Sequence, residues 1–283
     1  MTGRLVVVGT PIGNLEDISP RAVRVLGEAG VIFCEDTRRT RKLLSALGVP
    51  APRLVRLDRH TEAAAVGPAV EAIRAGTVAA LVSDAGMPTI SDPGTILVKG
   101  VAGAGLPTEV VPGPCAVSAA LALSGLPASQ YRFVGFLPRK GRERKDALAA
   151  AAVEPATVVI YEAPNRVAAT VSDLVAACGP QRELAAVREL TKLHEEVWRG
   201  TLGEAEGWLA GAGTEPRGEW VLVLGARSAP AGPQPGAEEV AAALRARLAA
   251  GADRRRAVSE VAAGLQVPKR LVYECALALK EEI

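Results

Sequence analysis

The sequence predicts an α/β protein: two successive α/β domains followed by a small helical tail. Three observations predict it. Short apolar runs alternate with amphipathic or small-residue stretches from the first residues onward, the order that gives a mainly parallel sheet flanked by helices. Four of the apolar runs end in loops rich in Gly, Pro or both. The stretch Ser228-Ala229-Pro230-Ala231-Gly232-Pro233-Gln234-Pro235-Gly236 is a linker by composition, and helical periodicity resumes beyond it.

Leu5–Val8 is the first strand. Pro20–Ala29 is the first helix, because Ser19 is a good N-cap and Pro20 suits the first helical position. Val31–Glu35 follows as a strand and Thr40–Leu47 as a helix. Leu54–Leu57 is a short strand, Glu62–Ala75 a helix stopped by Gly76, and Val78–Val82 a strand. Gly94–Gly103 reads as a helix before the strand that ends at Val111. After Pro112-Gly113-Pro114, a small-residue helix over Ala116–Leu123 leads into strands at Phe133–Leu137, Thr157–Tyr161, Leu184–Arg188, Glu195–Thr201 and Trp220–Leu224. Their spacing predicts a mixed sheet with fewer helices. The expected division is residues 1–113, 114–226 and 227–283, the last comprising linker and tail. In the tail, Val258, Val261, Ala262 and Leu265 share one helical face behind Asp253 as N-cap. Pro268 opens a second helix carrying Leu271, Val272 and Cys275. The pair matches a helix-turn-helix in length and turn, with a plain helical pair as the alternative.

Composition removes several function classes. A net charge of +2 over 283 residues excludes a whole-surface polycation, so nucleic acid can be met only by local patches. Aromatic residues make up 3% of the chain, too few for recognition by base-stacking platforms. Cys34, Cys115, Cys178 and Cys275 form no C-x-x-C pair, and His60 and His194 lack a Cys or His neighbour. Neither a metal site nor a disulfide framework is expected. No apolar run reaches the ~18 residues of a membrane span and no signal peptide precedes the first strand, so the expectation is a soluble, cytoplasmic protein without membrane contact.

The loops carry the functional signal. The segment Ser83-Asp84-Ala85-Gly86-Met87-Pro88-Thr89-Ile90-Ser91-Asp92-Pro93-Gly94 leaves a strand end, where open α/β sheets bind ligands. A plain strand-to-helix connection would be shorter. Similar loops are Gly9-Thr10-Pro11-Ile12-Gly13, Pro112-Gly113-Pro114 and Glu162-Ala163-Pro164-Asn165-Arg166. The first lacks both the G-x-G-x-x-G spacing and a following G-K-[ST], which excludes a dinucleotide fingerprint and a Walker A loop. Singly each loop also fits a tight turn; together they point to one composite ligand site.

On these motifs the chain resembles the tetrapyrrole methylase superfamily of S-adenosylmethionine-dependent methyltransferases. Within it, the resemblance is to the branch that methylates the ribose of a cytidine in small-subunit ribosomal RNA. The matching stretches are Val8–Asp17, Cys34–Thr40, Ser83–Pro88, Val111–Pro114, Gly135–Gly141, Tyr161–Arg166 and Arg188–Glu196. The resemblance implies that the methyl donor binds in the cleft between the two domains. For the donor it points to Pro11, Asp84, Gly86, Met87, Cys115, Ala116 and Tyr161, with Leu190 and Trp220 on the far side. It also implies a homodimer, and 16S ribosomal RNA or the small ribosomal subunit as partner. The expected activity is 2′-O-methylation of a decoding-centre cytidine. The alternatives are C-methylation of a porphyrinoid and a non-catalytic RNA-binding role.

A ribose hydroxyl is a poor nucleophile, so a base or a cation beside it would lower the barrier. Among the strand-end candidates Glu35, Asp36, Lys140, Lys192 and Glu195, Lys140 is preferred as the cation and Glu35 as the carboxylate. Basic clusters at Arg38, Arg39, Arg41 and Lys42 and at Arg139, Lys140, Arg142, Arg144 and Lys145, together with Arg166, suit phosphate contacts. A solvated charged face is the alternative for each.

Overall fold

The computed structural model describes residues 3–211, 217–227, 236–265, 267 and 269–281. Residues up to Arg227 form one compact unit, and those from Ser228 onward a second.

The first unit opens with β1 (Arg4–Val8), α1 (Pro20–Glu28), β2 (Val31–Cys34), α2 (Thr37–Ala46) and β3 (Arg53–Arg56). It continues with α3 (Glu62–Arg74), β4 (Val78–Leu81), α4 (Thr95–Gly103) and β5 (Thr108–Val111). The five strands form a sheet in the order β3-β2-β4-β1-β5, and all its pairings are parallel. Parallel strands are covered on both faces, which is why β2 and β4 read as unbroken apolar runs and are buried throughout. The Ser19 hydroxyl accepts from the Ala22 amide at 3.1 Å and starts α1 at Pro20 as expected. Helix α2 begins at Thr37 rather than Thr40, because Asp36 takes the N-cap and accepts from the Arg38 amide at 2.8 Å. The register pairs Val7 with Leu81 and Val8 with Val111, so the loops after β1, β4 and β5 leave one edge of the sheet together.

The second sheet is built from β6 (Tyr131–Phe136), β7 (Thr157–Glu162), β8 (Glu183–Arg188), β9 (Glu196–Thr201) and β10 (Trp220–Leu224), after α5 (Ala116–Ser124). Its order is β6-β7-β10-β8-β9, with β6 and β7 parallel and the other pairs antiparallel. The mixed sheet was expected, but its scarcity of helices is corrected. Helices α6 (Gly141–Val153), α7 (Val167–Cys178) and α8 (Leu202–Gly211) alternate with its strands. Helix α6 buries only Leu148 and Ala151, so its apolar stripe is almost silent in sequence. Helix α7 buries Val167, Thr170, Val171 and Leu174, a spacing that was readable. Helices α6, α7 and α8 pack on one face of the sheet. Helix α5 packs on the other, where Val117, Ala120 and Leu121 meet Val159, Ala185, Val187 and also Ile12 from the loop after β1.

The second unit holds α9 (Ala237–Ala249), α10 (Arg254–Gly264) and α11 (Lys269–Glu281). It has its own core of Val240, Leu244, Ala257, Val258, Val261, Ala262, Val272 and Ala276. Two helices were expected, and three are present among the described residues. Asp253 caps α10 by accepting from the Arg256 amide at 2.9 Å. Leu271 is exposed rather than on the apolar face, which Val272 and Ala276 supply. Pro268 and linker residues 228–235 lie outside the described residues. No helix among the described residues is long and apolar enough to cross a membrane.

Candidate functional site

The loop edge of the first sheet is sewn together by backbone. Thr10 and Gly86 form an antiparallel bridge, with N–H···O distances of 2.9 and 3.2 Å. The buried Thr10 hydroxyl lies 3.4 Å from the Ser83 carbonyl and 3.3 Å from that of Gly86. Gly9 and Gly113 pass so closely that a Cβ on Gly9 would sit 2.7 Å from the Gly113 Cα and from the Met87 Sδ. Only glycine permits that approach. Gly86 has φ +81 and would place a Cβ 3.2 Å from Ile12. The Asp84 loop is thus closely packed at Gly86, and it carries strain: Thr89 and Ser91 sit at φ 72 and 68. Strain of this kind collects at ligand clamps.

Between these loops and the second sheet lies a half-open cavity of about 370 Å³. Ala85, Gly86, Met87, Ile90, Ser91 and Asp92 form one wall, and Ile12 adds to it. Cys115 and Ala116, at the start of α5, form another. Opposite stand Phe136, Tyr161 to Pro164, and Glu219 to Val221. Burial pushes the pKa of the Tyr161 hydroxyl up, so it stays protonated. Phe133 and Phe136 flank the Tyr161 ring edge-to-face, with centroids 4.8 and 5.7 Å away. The loop after β8 packs behind the lining residue Glu219. There Lys192 pairs with Glu189 at 2.8 Å and Glu219 at 3.0 Å, and the Thr191 hydroxyl accepts from the Asn14 amide at 3.1 Å.

Of the residues expected at the donor, the structure brings Gly86, Met87, Cys115, Ala116, Tyr161 and Trp220 to this one cavity. Pro11, Asp84 and Leu190 are not in its lining. Leu190 is buried in the core between α5 and the second sheet. Asp84 turns the other way, accepting from the Asp36 amide at 3.1 Å and pairing with Arg39 at 3.4 Å. It belongs to an acidic edge with Glu35, Asp36 and Asp92. Hydrogen bonds from Arg38 hold Asp36 well below the usual carboxylate range. Burial, then the neighbouring Asp84, pushes Glu35 up. Burial and then the charge of Glu35 push Asp92 up to about 6. Among the described residues no group of three or more His, Cys, Asp and Glu side chains could hold a metal ion.

Phe136 and Ala163 also line a wider basin of about 750 Å³ with Arg139, Asn165 and Arg166. Lys140 is exposed at the N-cap of α6 and lines neither space. Arg144 is largely occupied internally: it pairs with Asp173 at 2.6 Å and donates to the Pro138 carbonyl and the Thr170 hydroxyl, both at 3.0 Å. Arg166 pairs with the buried Glu162 at 3.3 Å and donates to the Leu137 carbonyl at 2.7 Å. Arg41, Lys42, Arg139 and Arg142 point their charge to solvent. Asp92 and Glu219 are lining carboxylates that sequence reasoning did not place in the site. Asp92 was visible there only as the second acid of its loop.

Two sheets joined through a cavity of strand-end loops define a methylase of the tetrapyrrole type. Residues 4–206 match the family described as Tetrapyrrole (Corrin/Porphyrin) Methylases, and the chain belongs to it. It is a methyltransferase whose methyl donor is S-adenosylmethionine. Its relatives include the ribosomal RNA small subunit methyltransferase I of Synechocystis sp., 39% identical, with 99% of each chain covered. The protein of that name from Mycobacterium bovis is 43% identical, over 99% of this chain and 97% of the relative. Among solved structures, diphthine synthase matches with a TM-score of 0.60 at 16% identity, covering 78% of this chain and 89% of that one. Uroporphyrin-III C-methyltransferase from Thermus thermophilus, complexed with S-adenosylhomocysteine, matches at 0.54 and 22%, covering 79% and 97%. These last two are likenesses of fold.

Proposed function

We propose that this methyltransferase modifies small-subunit ribosomal RNA, and that its acceptor is the 2′-hydroxyl of a cytidine in the decoding centre of 16S ribosomal RNA. The observation that carries the reading is the junction of the two spaces at Phe136 and Ala163, a half-open apolar cavity beside a basin with Arg139 on its wall. The cavity volume of about 370 Å³ suits a small ligand. Its small residues Ala85, Gly86, Ala116 and Ala163 leave room for a folded donor. When bound, S-adenosylmethionine supplies a methyl group already activated on a sulfonium. The protein's own residues then bind, align and exclude water. Tyr161 and Trp220 fix the cavity wall, and the basin receives the RNA backbone. The two α/β domains meet near residue 113, the working molecule is a homodimer, and it acts in the cytoplasm.

Purified protein, S-adenosylmethionine and small ribosomal subunits lacking the modification should give one new ribose methylation, mapped by its resistance to alkaline cleavage. Methylation of a base, of several sites, or of a tetrapyrrole instead would defeat the reading.

A further inference from the structure

We infer that Asp92 is the group that takes the proton from the acceptor hydroxyl. Among the described residues lining the donor cavity, Asp92, Glu162 and Glu219 carry carboxylates. Two of them are committed elsewhere. Glu162 accepts from the Thr170 hydroxyl at 2.6 Å and the Ala163 amide at 2.8 Å and pairs with Arg166. Glu219 pairs with Lys192. No ion pair among the described residues includes Asp92. The groups that face it are Glu35 after β2, Ser83 and Asp84 after β4, Arg59 before α3, and Tyr161 on β7.

Geometry holds Asp92 in place on both sides. Ser91 stands at φ 68, its Oγ 3.1 Å from where a Gly135 Cβ would be, so the segment is wedged against β6 next to Phe136. On the other side Gly94, at φ 132, donates its amide to the buried Glu62 carboxylate at 2.8 Å. The backbone on either side of Asp92 is thus held, and Asp92 shares the cavity lining with Phe136 and Ala163, where the basin meets the cavity. Its raised pKa, about 6, matches what a base working near neutrality needs. In the step, the acceptor O–H bond breaks and its proton passes to Asp92. The acceptor oxygen forms a bond to the methyl carbon as the carbon–sulfur bond breaks, and the sulfonium leaves as a neutral thioether. Neither Glu35 nor the exposed Lys140 lines this space.

This inference rests on the ribose-methylation reading, and the test separates the two. Single-turnover transfer to small subunits should fall about 10²- to 10⁴-fold in Asp92→Asn, the range typical of a lost general base. S-adenosylmethionine affinity by calorimetry should change less than about threefold, a shift under about 0.7 kcal/mol. Asp92→Glu should recover part of the rate. The wild-type rate should drop about tenfold per pH unit below its apparent pKa. In the free protein, the Asp92 carboxyl carbon should titrate well above the ordinary value of about 4. A wild-type enzyme that methylates ribose while Asp92→Asn keeps its rate, or a flat wild-type pH profile, overturns the role of Asp92 alone. A wild type that binds donor but methylates no ribose overturns both.

Discussion

Asp92 makes the tension between stability and activity visible at one residue. Burial and the charge of Glu35 raise its pKa to about 6, against an ordinary value of 3.8. A carboxyl whose folded pKa lies above its unfolded one adds stability below the unfolded value, and that contribution is lost as pH rises through the folded value. At pH 8 the ionised side chain therefore costs the fold something. Asp92 is partly exposed, so screening reduces the cost to on the order of 1 kcal/mol. Asp92→Asn should melt above wild type at pH 8, and the difference should vanish below about pH 4. Equal melting temperatures at pH 8 would mean that solvent already relieves the charge.

The site is held by element ends. Glu62 opens α3, yet its carboxylate serves the amides of Gly94, Ile96 and Leu97 at the start of α4. A helix N-terminus leaves such amides without partners, and a buried carboxylate there also meets the favourable end of the helix dipole. Glu62→Ala should lower stability by about 1–3 kcal/mol, read as a urea midpoint, and should loosen the Asp92 segment enough to slow methyl transfer. An unchanged midpoint would show that water replaces the carboxylate. No sequence pattern reveals this interaction, because residues 62 and 94 lie in different elements and meet only when α3 packs on α4. Strand ends were legible for the opposite reason: an apolar run followed by Gly, Pro and Asp is local. That is why the loops themselves could be named, whereas Gly86, Met87, Cys115, Ala116, Tyr161 and Trp220 came from the family resemblance and meet at the cavity. Pro11 and Asp84 sit on lining loops without lining the cavity, and Leu190, after β8, packs into the core, because side-chain placement at a loop is set by packing. Helix α6 was missed because an Ala-rich stretch fills a helix without marking a face, α8 because its three glycines argue against a helix, and α7 was missed despite marking a face.

At the scale of the whole molecule, a net charge of +2 gives no general attraction for RNA, so affinity must come from a few placed cations. Arg144 and Arg166 are the wrong ones to test. Both spend their guanidinium groups on carbonyls and carboxylates of the second sheet's connections, and reversing either would damage the fold. Arg41 and Lys42 on α2 and Arg139 on the basin wall are exposed and enter no ion pair among the described residues. Arg142 is exposed and only loosely paired with Asp146, at 3.6 Å. Changing these four to Glu should leave the melting temperature and S-adenosylmethionine affinity nearly unchanged, since none lines the donor cavity. RNA affinity should fall, and its log–log dependence on salt should become shallower by about 0.7 to 0.9 for each phosphate that is no longer neutralised. Filter binding across a salt series measures both quantities at once. If the fourfold variant binds small-subunit RNA with the wild-type slope, the phosphates are met elsewhere, and the basin beside Phe136 is not the path by which the acceptor ribose reaches Asp92.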